Sequence, residues 1–122
     1  PEEKGRVDKP IGRHPKNRTR MAVVEHGKSA LTEWETIRTY QGPFSFLRVK
    51  IHTGRTHQIR VHLSFLGHPL AGDSTYGAKN HPGFNRVMLH AHCLKLTHPV
   101  SAEQLTFRAE LPLDFETCLQ LL

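Results

Sequence analysis

The sequence predicts an α+β fold: a mainly antiparallel sheet interrupted by one buried helix. Three observations predict it. "FSFLRVKI" (44–51) alternates Leu47, Val49 and Ile51 with Arg48 and Lys50, the period-two pattern of a strand with one wet face. "HQIRVHLSFLG" (57–67) switches to helical spacing, with Ile59, Leu63 and Leu66 at i, i+4 and i+7. Two more strand-like runs, "RVMLHAHCLKLTHP" and "EQLTFRAELP", then follow, and strands, one helix and strands again read as α+β.

The remaining elements fall around these three. Pro10, Gly12 and Pro15 make residues 1–20 a poor helix and a poor central strand, so this stretch is predicted to be an extended arm. "ALTEWETIRTY" (30–40) places Ala30, Thr32, Trp34, Thr36 and Tyr40 on one side, with Leu31 and Ile37 in the opposite set. Its β-branched and aromatic content favours a strand. Gln41-Gly42-Pro43 joins it to 44–51 as an antiparallel hairpin. Thr53-Gly54 ends that hairpin, Thr53 or Thr56 offers a cap for the helix, and Gly67 with Pro69 closes it. "HPLAGDSTYGAKNHPGFN" reads as loop, and "LDFETCLQLL" as a short amphipathic helix. The whole, 1–122, is predicted to be one domain, with a basic extended arm at 1–20 and the sheet and helices over 30–122.

Composition narrows the functional classes. Seventeen Lys and Arg against eleven Asp and Glu give a net charge of +6, and the excess is uneven. Residues 9–20 hold five Lys or Arg and no acid, whereas 99–122 hold four acids and one arginine. A basic arm beside a near-neutral body is the footprint of polyanion binding, most often nucleic acid. Arg13, His14, Lys16, Arg18 and Arg20 would then meet phosphates and position the nucleic acid without reading its sequence. The arm lacks the apolar face of a membrane-lying helix, and apolar runs fall far short of the ~20 residues that span a bilayer, so no membrane partner is expected. The two cysteines, Cys93 and Cys118, stand apart and read as reduced thiols of a cytoplasmic protein. Ten histidines bring no ligand-spaced cluster: His57 and His62 lie on different helix faces, and no carboxylate group accompanies His90 and His92. No metal is expected. His62, His68 and His98 read as structural.

Arg60 is the residue that asks for a partner. On a helical projection Ile59, Leu63 and Leu66 form one stripe and Val61 and Phe65 a second, leaving His57, Arg60, Ser64 and Gly67 in a narrow polar sector. The helix is therefore expected to be largely buried, with Arg60 its one fixed charge. A buried guanidinium without an anion costs several kcal/mol, so Arg60 should face either an acidic side chain elsewhere in the protein or a bound phosphate. Gly54-Arg55-Thr56, ahead of the helix, adds backbone N–H groups at a positive dipole end. Arg55 joins the nucleic-acid-contact candidates on that ground, and His57 joins them from its place beside Arg60 on the polar strip.

Three ordered blocks then carry a resemblance. "GRTHQIRVHLSFLGHPLAGDSTYG" is similar to the signature of the RluA-type pseudouridine synthases, G-R-[ST]-H-Q-[IL]-R-x-H followed by G-H-P-[LI]-x-G-D-x-x-Y-G. "MLHAHCLKLTHP" with "LTFRAELPLDF" resembles the next family segment, and "VDKPIGRHPKNRTRMAVVEHGKSALTEWETI" resembles the connecting segment of the branch acting on large-subunit ribosomal RNA. The resemblance implies half of the pseudouridine synthase catalytic fold and isomerisation of uridine to pseudouridine in RNA, without cofactor or metal. It also implies that the arginine matching Arg60 pairs with the family's catalytic aspartate, which lies in an H-R-L-D motif. A cation beside a carboxyl favours its charged form.

The sequence departs from the family there. Its aspartates are Asp8, Asp73 and Asp114, and none stands in an H-R-L-D context. Asp73 belongs to the G-D-x-x-Y-G turn and reads as structural. The chain begins at Pro1 and so reads as a processed, truncated or excised piece. It is expected to be the C-terminal part of a catalytic domain, inactive alone, completed by the missing N-terminal half or by self-association. The alternative from another class is a non-catalytic RNA-binding module.

Overall fold

The computed structural model describes residues 3–40, 44–79, 84, 86–91, 93–97 and 104–121. The chain divides into two units, Pro1–Val87 and Met88–Leu122. The fold is α+β and every described strand pairing is antiparallel, in accord with the class predicted.

In the first unit a three-stranded sheet has the order β1 (Lys4–Asp8), β4 (Leu31–Thr39), β5 (Ser45–Ile51). The predicted hairpin is its centre, with Trp34 opposite Val49 and Thr36 opposite Leu47. Residues directly opposite in an antiparallel pair share a face. Thr32, Trp34, Leu47 and Val49 therefore point the same way, and Thr32 and Trp34 are buried. The ladder shifts register between Thr36 and Arg38, and Ile37 beside the shift is 47% exposed. Against the buried face Trp34 packs with Leu63 and Leu70, joined by Leu47, Val49, Ile59 and Val87.

Within the predicted extended arm, Lys4–Asp8 and Ile11–Arg13 are strands, each paired with a later segment. β1 lies along β4 with Val7 opposite Thr32, and β2 (Ile11–Arg13) forms a second hairpin with β3 (Met21–Val23). The reason lies in two apolar residues among the charges. Val7 is 3% exposed and Ile11 2%, and Ile11 joins Ala30, Val61 and Tyr76 in a second core cluster. Pro10 is accommodated because it falls between β1 and β2, where its carbonyl accepts from Val24 N–H and its missing donor costs no ladder bond.

Helix α1 (Gln58–Phe65) sits where the spacing placed it. Its C-terminal end follows the sequence reading: Gly67 takes φ 86, Gly67 N–H donates to Ser64 O and His68 N–H to Leu63 O, the paired bonds of a Schellman motif. Its N-terminal end does not use Thr53 or Thr56. His57 occupies the cap position in the left-handed region, φ 55, ψ 25, with no side-chain cap. Nor is α1 buried around its girth as expected. Phe65 and Leu66 are 52% and 39% exposed, and the inward face carries polar Gln58 and His62 beside Val61 and Leu63.

Those two polar residues are fully engaged. The Gln58 amide donates to Leu31 O and Thr32 Oγ1, while its carbonyl oxygen accepts from Thr53 Oγ1–H and Arg55 N–H. His62 Nε2–H donates to Lys9 O at 2.9 Å, and Nδ1 accepts from Thr32 Oγ1–H at 2.7 Å. Satisfied in this way, they tie α1 to β4 and to the β1–β2 corner with little desolvation penalty.

In the second unit β6 (Cys93–Thr97) pairs with β7 (Gln104–Arg108), and α2 (Leu113–Leu121) follows. Of the run predicted as a strand from residue 86, Cys93–Thr97 is the part that pairs with β7 among the described residues. His92 and His98 lie outside the described residues. His90 Nε2–H donates to Ala109 O, bonding across the open end of this hairpin.

One backbone position controls the entry to the 73–77 turn. Gly72 takes φ 82, and a Cβ there would lie 1.9 Å from Arg86 O. Gly67 takes a similar φ with nothing within 4 Å of its Cβ position. Gly72→Ala should therefore lower unfolding free energy by more than about 2 kcal/mol, and Gly67→Ala by about 1 kcal/mol. Urea denaturation of the two variants checks the order.

Candidate functional site around Arg60

The polar sector of α1 meets the turn that follows the helix. Asp73 starts a single 3-10 turn (Ser74–Tyr76) and is 1% exposed. Arg60 Nε–H donates to Asp73 Oδ2 at 2.9 Å and Nη2–H to Oδ1 at 3.0 Å, a bidentate pair. The Arg60 side chain is 20% exposed. Of the two kinds of partner open to Arg60 from the residues alone, this chain supplies the acidic side chain, and it is Asp73. The pairing raises the guanidinium pKa above its ordinary value, mainly through the hydrogen bond to Asp73, against the opposing effect of burial.

Tyr76 is the second organiser. Its ring is buried at 3% exposure, and the Arg60 and Arg20 guanidinium carbons lie 4.9 and 5.0 Å from its centroid. Each contact is worth about 0.5–1 kcal/mol or more when desolvated. The Tyr76 hydroxyl accepts from Met21 N–H at 3.0 Å and stands 2.7 Å from His57 Nδ1. With the backbone donor filling one side of the oxygen, the hydroxyl proton is directed at Nδ1, leaving the His57 hydrogen on Nε2. Ser64 Oγ–H closes the strip by donating to Tyr76 O. The four residues His57, Arg60, Asp73 and Tyr76 thus form one connected network on two elements.

His57 is held in a left-handed conformation that costs a non-glycine residue about 1–2 kcal/mol. It persists because Tyr76 fixes the ring, with the two rings meeting edge to face at 5.6 Å, and Gln58 fixes the next residue. Desolvation pushes the His57 pKa below its ordinary value of 6.5; Arg60 pushes it further down, and Asp73 opposes both.

The predicted RNA contacts are distributed over three places rather than along one arm. Arg13, Lys16 and Arg18 are exposed on the β2–β3 hairpin. His14 is spent on shaping that hairpin: its Nδ1 accepts from Lys16 N–H and Asn17 N–H. Arg13 Nη1–H donates to Arg18 O, which orders the loop while keeping both side chains outside the core. Arg20 instead turns inward onto Tyr76, and its Nε is buried without a hydrogen-bond partner. Arg55 Nε–H donates to Ser29 O beside the start of α1. Among the described residues no group of three or more His, Cys, Asp or Glu is placed to hold a metal ion. No helix among them is long and apolar enough to cross a membrane.

Tyr76 and the Arg60-facing role of Asp73 were not legible from the helix alone. A usable signal existed: the polar strip needed a carboxylate, and Asp73 lies within the short turn segment that immediately follows α1.

Known proteins share this arrangement of elements. A family model described as RNA pseudouridylate synthase matches residues 1–65. An uncharacterized RNA pseudouridine synthase of Chloroflexus aurantiacus is 47% identical over 98% of this chain and 38% of its own length. Ribosomal large subunit pseudouridine synthase D of Nitrosomonas europaea is 46% identical over 98% of this chain and 37% of its own length. Among solved structures, human RNA Pseudouridylate Synthase Domain Containing 1 superposes with a TM-score of 0.78 at 31% identity, over 96% of this chain and 53% of that one. The chain therefore spans less than two fifths of the length of these curated relatives.

Two measurements check the network. Asp73→Asn leaves a mostly buried guanidinium without its anion and should cost about 3 kcal/mol of stability. In NMR titration the His57 ring should have a pKa below 6.5. Because the folded form binds that proton more weakly than the unfolded chain, the His57 contribution to stability is complete above 6.5 and falls as pH drops through the window beneath it. A His57 pKa at or above 6.5 contradicts the assignment.

Proposed function

Since this chain belongs to the RNA pseudouridylate synthase family, we propose that it forms part of an enzyme isomerising uridine to pseudouridine in RNA, with large-subunit ribosomal RNA as the substrate. The N1–C1′ bond of the nucleoside breaks, the base turns, and a C5–C1′ bond forms; N1 gains a proton and C5 loses one. Two relatives named for the ribosomal large subunit, each over 40% identical, support the RNA assignment, and with it a cytoplasmic site of action.

Arg60 carries the reading. Its Nε and Nη2 are held by Asp73, while Nη1 makes no hydrogen bond among the described residues. One end of the guanidinium is thereby fixed and the other is left for a second carboxylate. That second carboxylate is the catalytic aspartate that the family resemblance implies, supplied by the rest of the domain. Arg60 would keep it ionised and oriented. Exposed Phe65 and Leu66, and the outer edges of β1 and β5, which pair with no further strand among the described residues, suit a chain completed by more of the same sheet.

The test uses the full-length protein and a uridine-containing ribosomal RNA fragment. Arg60→Ala should lower kcat by about a hundredfold or more, the scale for losing one preorganised charge in a closed site, with little change in RNA affinity. Arg60→Lys keeps the charge but loses the side-on pairing, and should also lose most turnover while remaining folded. Turnover retained in both variants contradicts the role of Arg60. RNA binding without isomerisation by the unsubstituted protein would leave only a binding module.

A further inference from the structure

A cleft of about 410 Å³ opens in the first unit, on residues outside the Arg60–Asp73–Tyr76 network. It is lined by Gly12 and Arg13 of β2, Met21 of β3, the His26–Gly27–Lys28 turn and Gly54–Arg55–Thr56 ahead of α1, with Ile11 at its base. Three of these residues are permanent cations, Arg13, Lys28 and Arg55, and none is acidic.

The walls are rigidly joined. Ile11 N–H donates to Lys28 O at 2.9 Å, and Lys28 N–H donates to Ile11 O at 2.8 Å. Gly27 lies so close to Ile11 that a Cβ there would stand 2.5 Å from Ile11 C. Arg55 is anchored through Nε to Ser29 O, and Arg13 through Nη1 to Arg18 O, so each side chain is held by one nitrogen with others left over. Like charges gathered on tied backbone repel one another in the empty cleft, and an anion relieves that repulsion.

The lining decides the class of anion. Pockets for small organic ligands are enclosed and mostly apolar. This cleft is open, and Ile11 and Met21 are its two apolar side chains. Its glycines bring backbone close to whatever occupies it. Open, basic and glycine-lined, it fits a phosphodiester of a chain that continues past both ends.

We propose that this cleft binds one backbone phosphodiester of the RNA substrate, held jointly by Arg13, Lys28 and Arg55. The site deepens the pseudouridine synthase reading and rests on it for the identity of the polyanion. It also abuts the Arg60 network: Met21 lines the cleft and gives its N–H to Tyr76, and Thr56 precedes His57. The bound phosphate therefore belongs to a nucleotide near the one presented to Arg60.

The test is the salt dependence of binding by the full-length protein to a single-stranded uridine-containing RNA, with Lys28→Ala, Arg13→Ala and the double variant. Lys28 is exposed and its side chain makes no hydrogen bond among the described residues, so its loss spares the fold. Each single substitution should weaken binding severalfold and flatten the slope of log affinity against log salt, and the double variant should flatten it by no more than about 0.7, the value for one single-strand phosphate, since both residues serve that phosphate. An unchanged slope in the single variants overturns the site, and a change well above about 0.7 in the double variant overturns the shared phosphate. If the unsubstituted protein neither binds RNA nor isomerises uridine, the functional reading itself has failed, an outcome separate from either of these.

Discussion

The bidentate pair of Arg60 and Asp73 is the constraint on which the rest of the first unit's functional face depends. Asp73 begins the 3-10 turn, Tyr76 ends it, and both are buried against the polar strip of α1. Without the guanidinium, the Asp73 carboxylate loses the two charge-assisted hydrogen bonds that offset its loss of water. Without the carboxylate, the turn that presents Tyr76 to Met21 and His57 loses its anchor. A single ion pair thus joins the helix, the turn and, through Tyr76, the β2–β3 hairpin.

Such a pair is a poor choice if stability alone is at stake, because apolar side chains of like volume often do as well. Its value here is directional. The guanidinium plane is fixed by two bonds on one side and by the Tyr76 ring, so the remaining nitrogen has a defined heading. His57 shows the same preference for geometry over comfort, in a left-handed conformation on the stretch that leads into α1. Strain and buried charge coincide in residues that adjoin both the arginine and the basic cleft.

The β4–β5 hairpin and α1 were legible because burial on one face imposes a period, and the period survives in the residue order. Trp34 and Val49 face each other as their alternation requires. β6 and β7 lie within the two later runs read as strands, and they pair antiparallel. Residues 1–20 were harder: their charges and prolines mask two buried residues, Val7 and Ile11, which are too far apart to form a periodic run. The burial of Gln58 and His62, with Phe65 and Leu66 left exposed, was invisible to a hydrophobic projection. It depends on acceptors contributed by Leu31, Thr32 and Lys9, far away in sequence. In the candidate site, Arg60 announced itself as a buried charge, whereas the inward turn of Arg20 onto Tyr76 follows only from tertiary packing.

The central claim is that Asp73 serves the reaction by aiming Arg60, not by acting on substrate itself. A double-mutant cycle in kcat across Arg60→Lys and Asp73→Asn, in the full-length protein with RNA at saturation, tests it most directly. If Asp73 acts through Arg60, each single variant loses much of the activity and the double variant loses little more than Arg60→Lys alone. Losses that multiply would show two independent contributions and contradict the account.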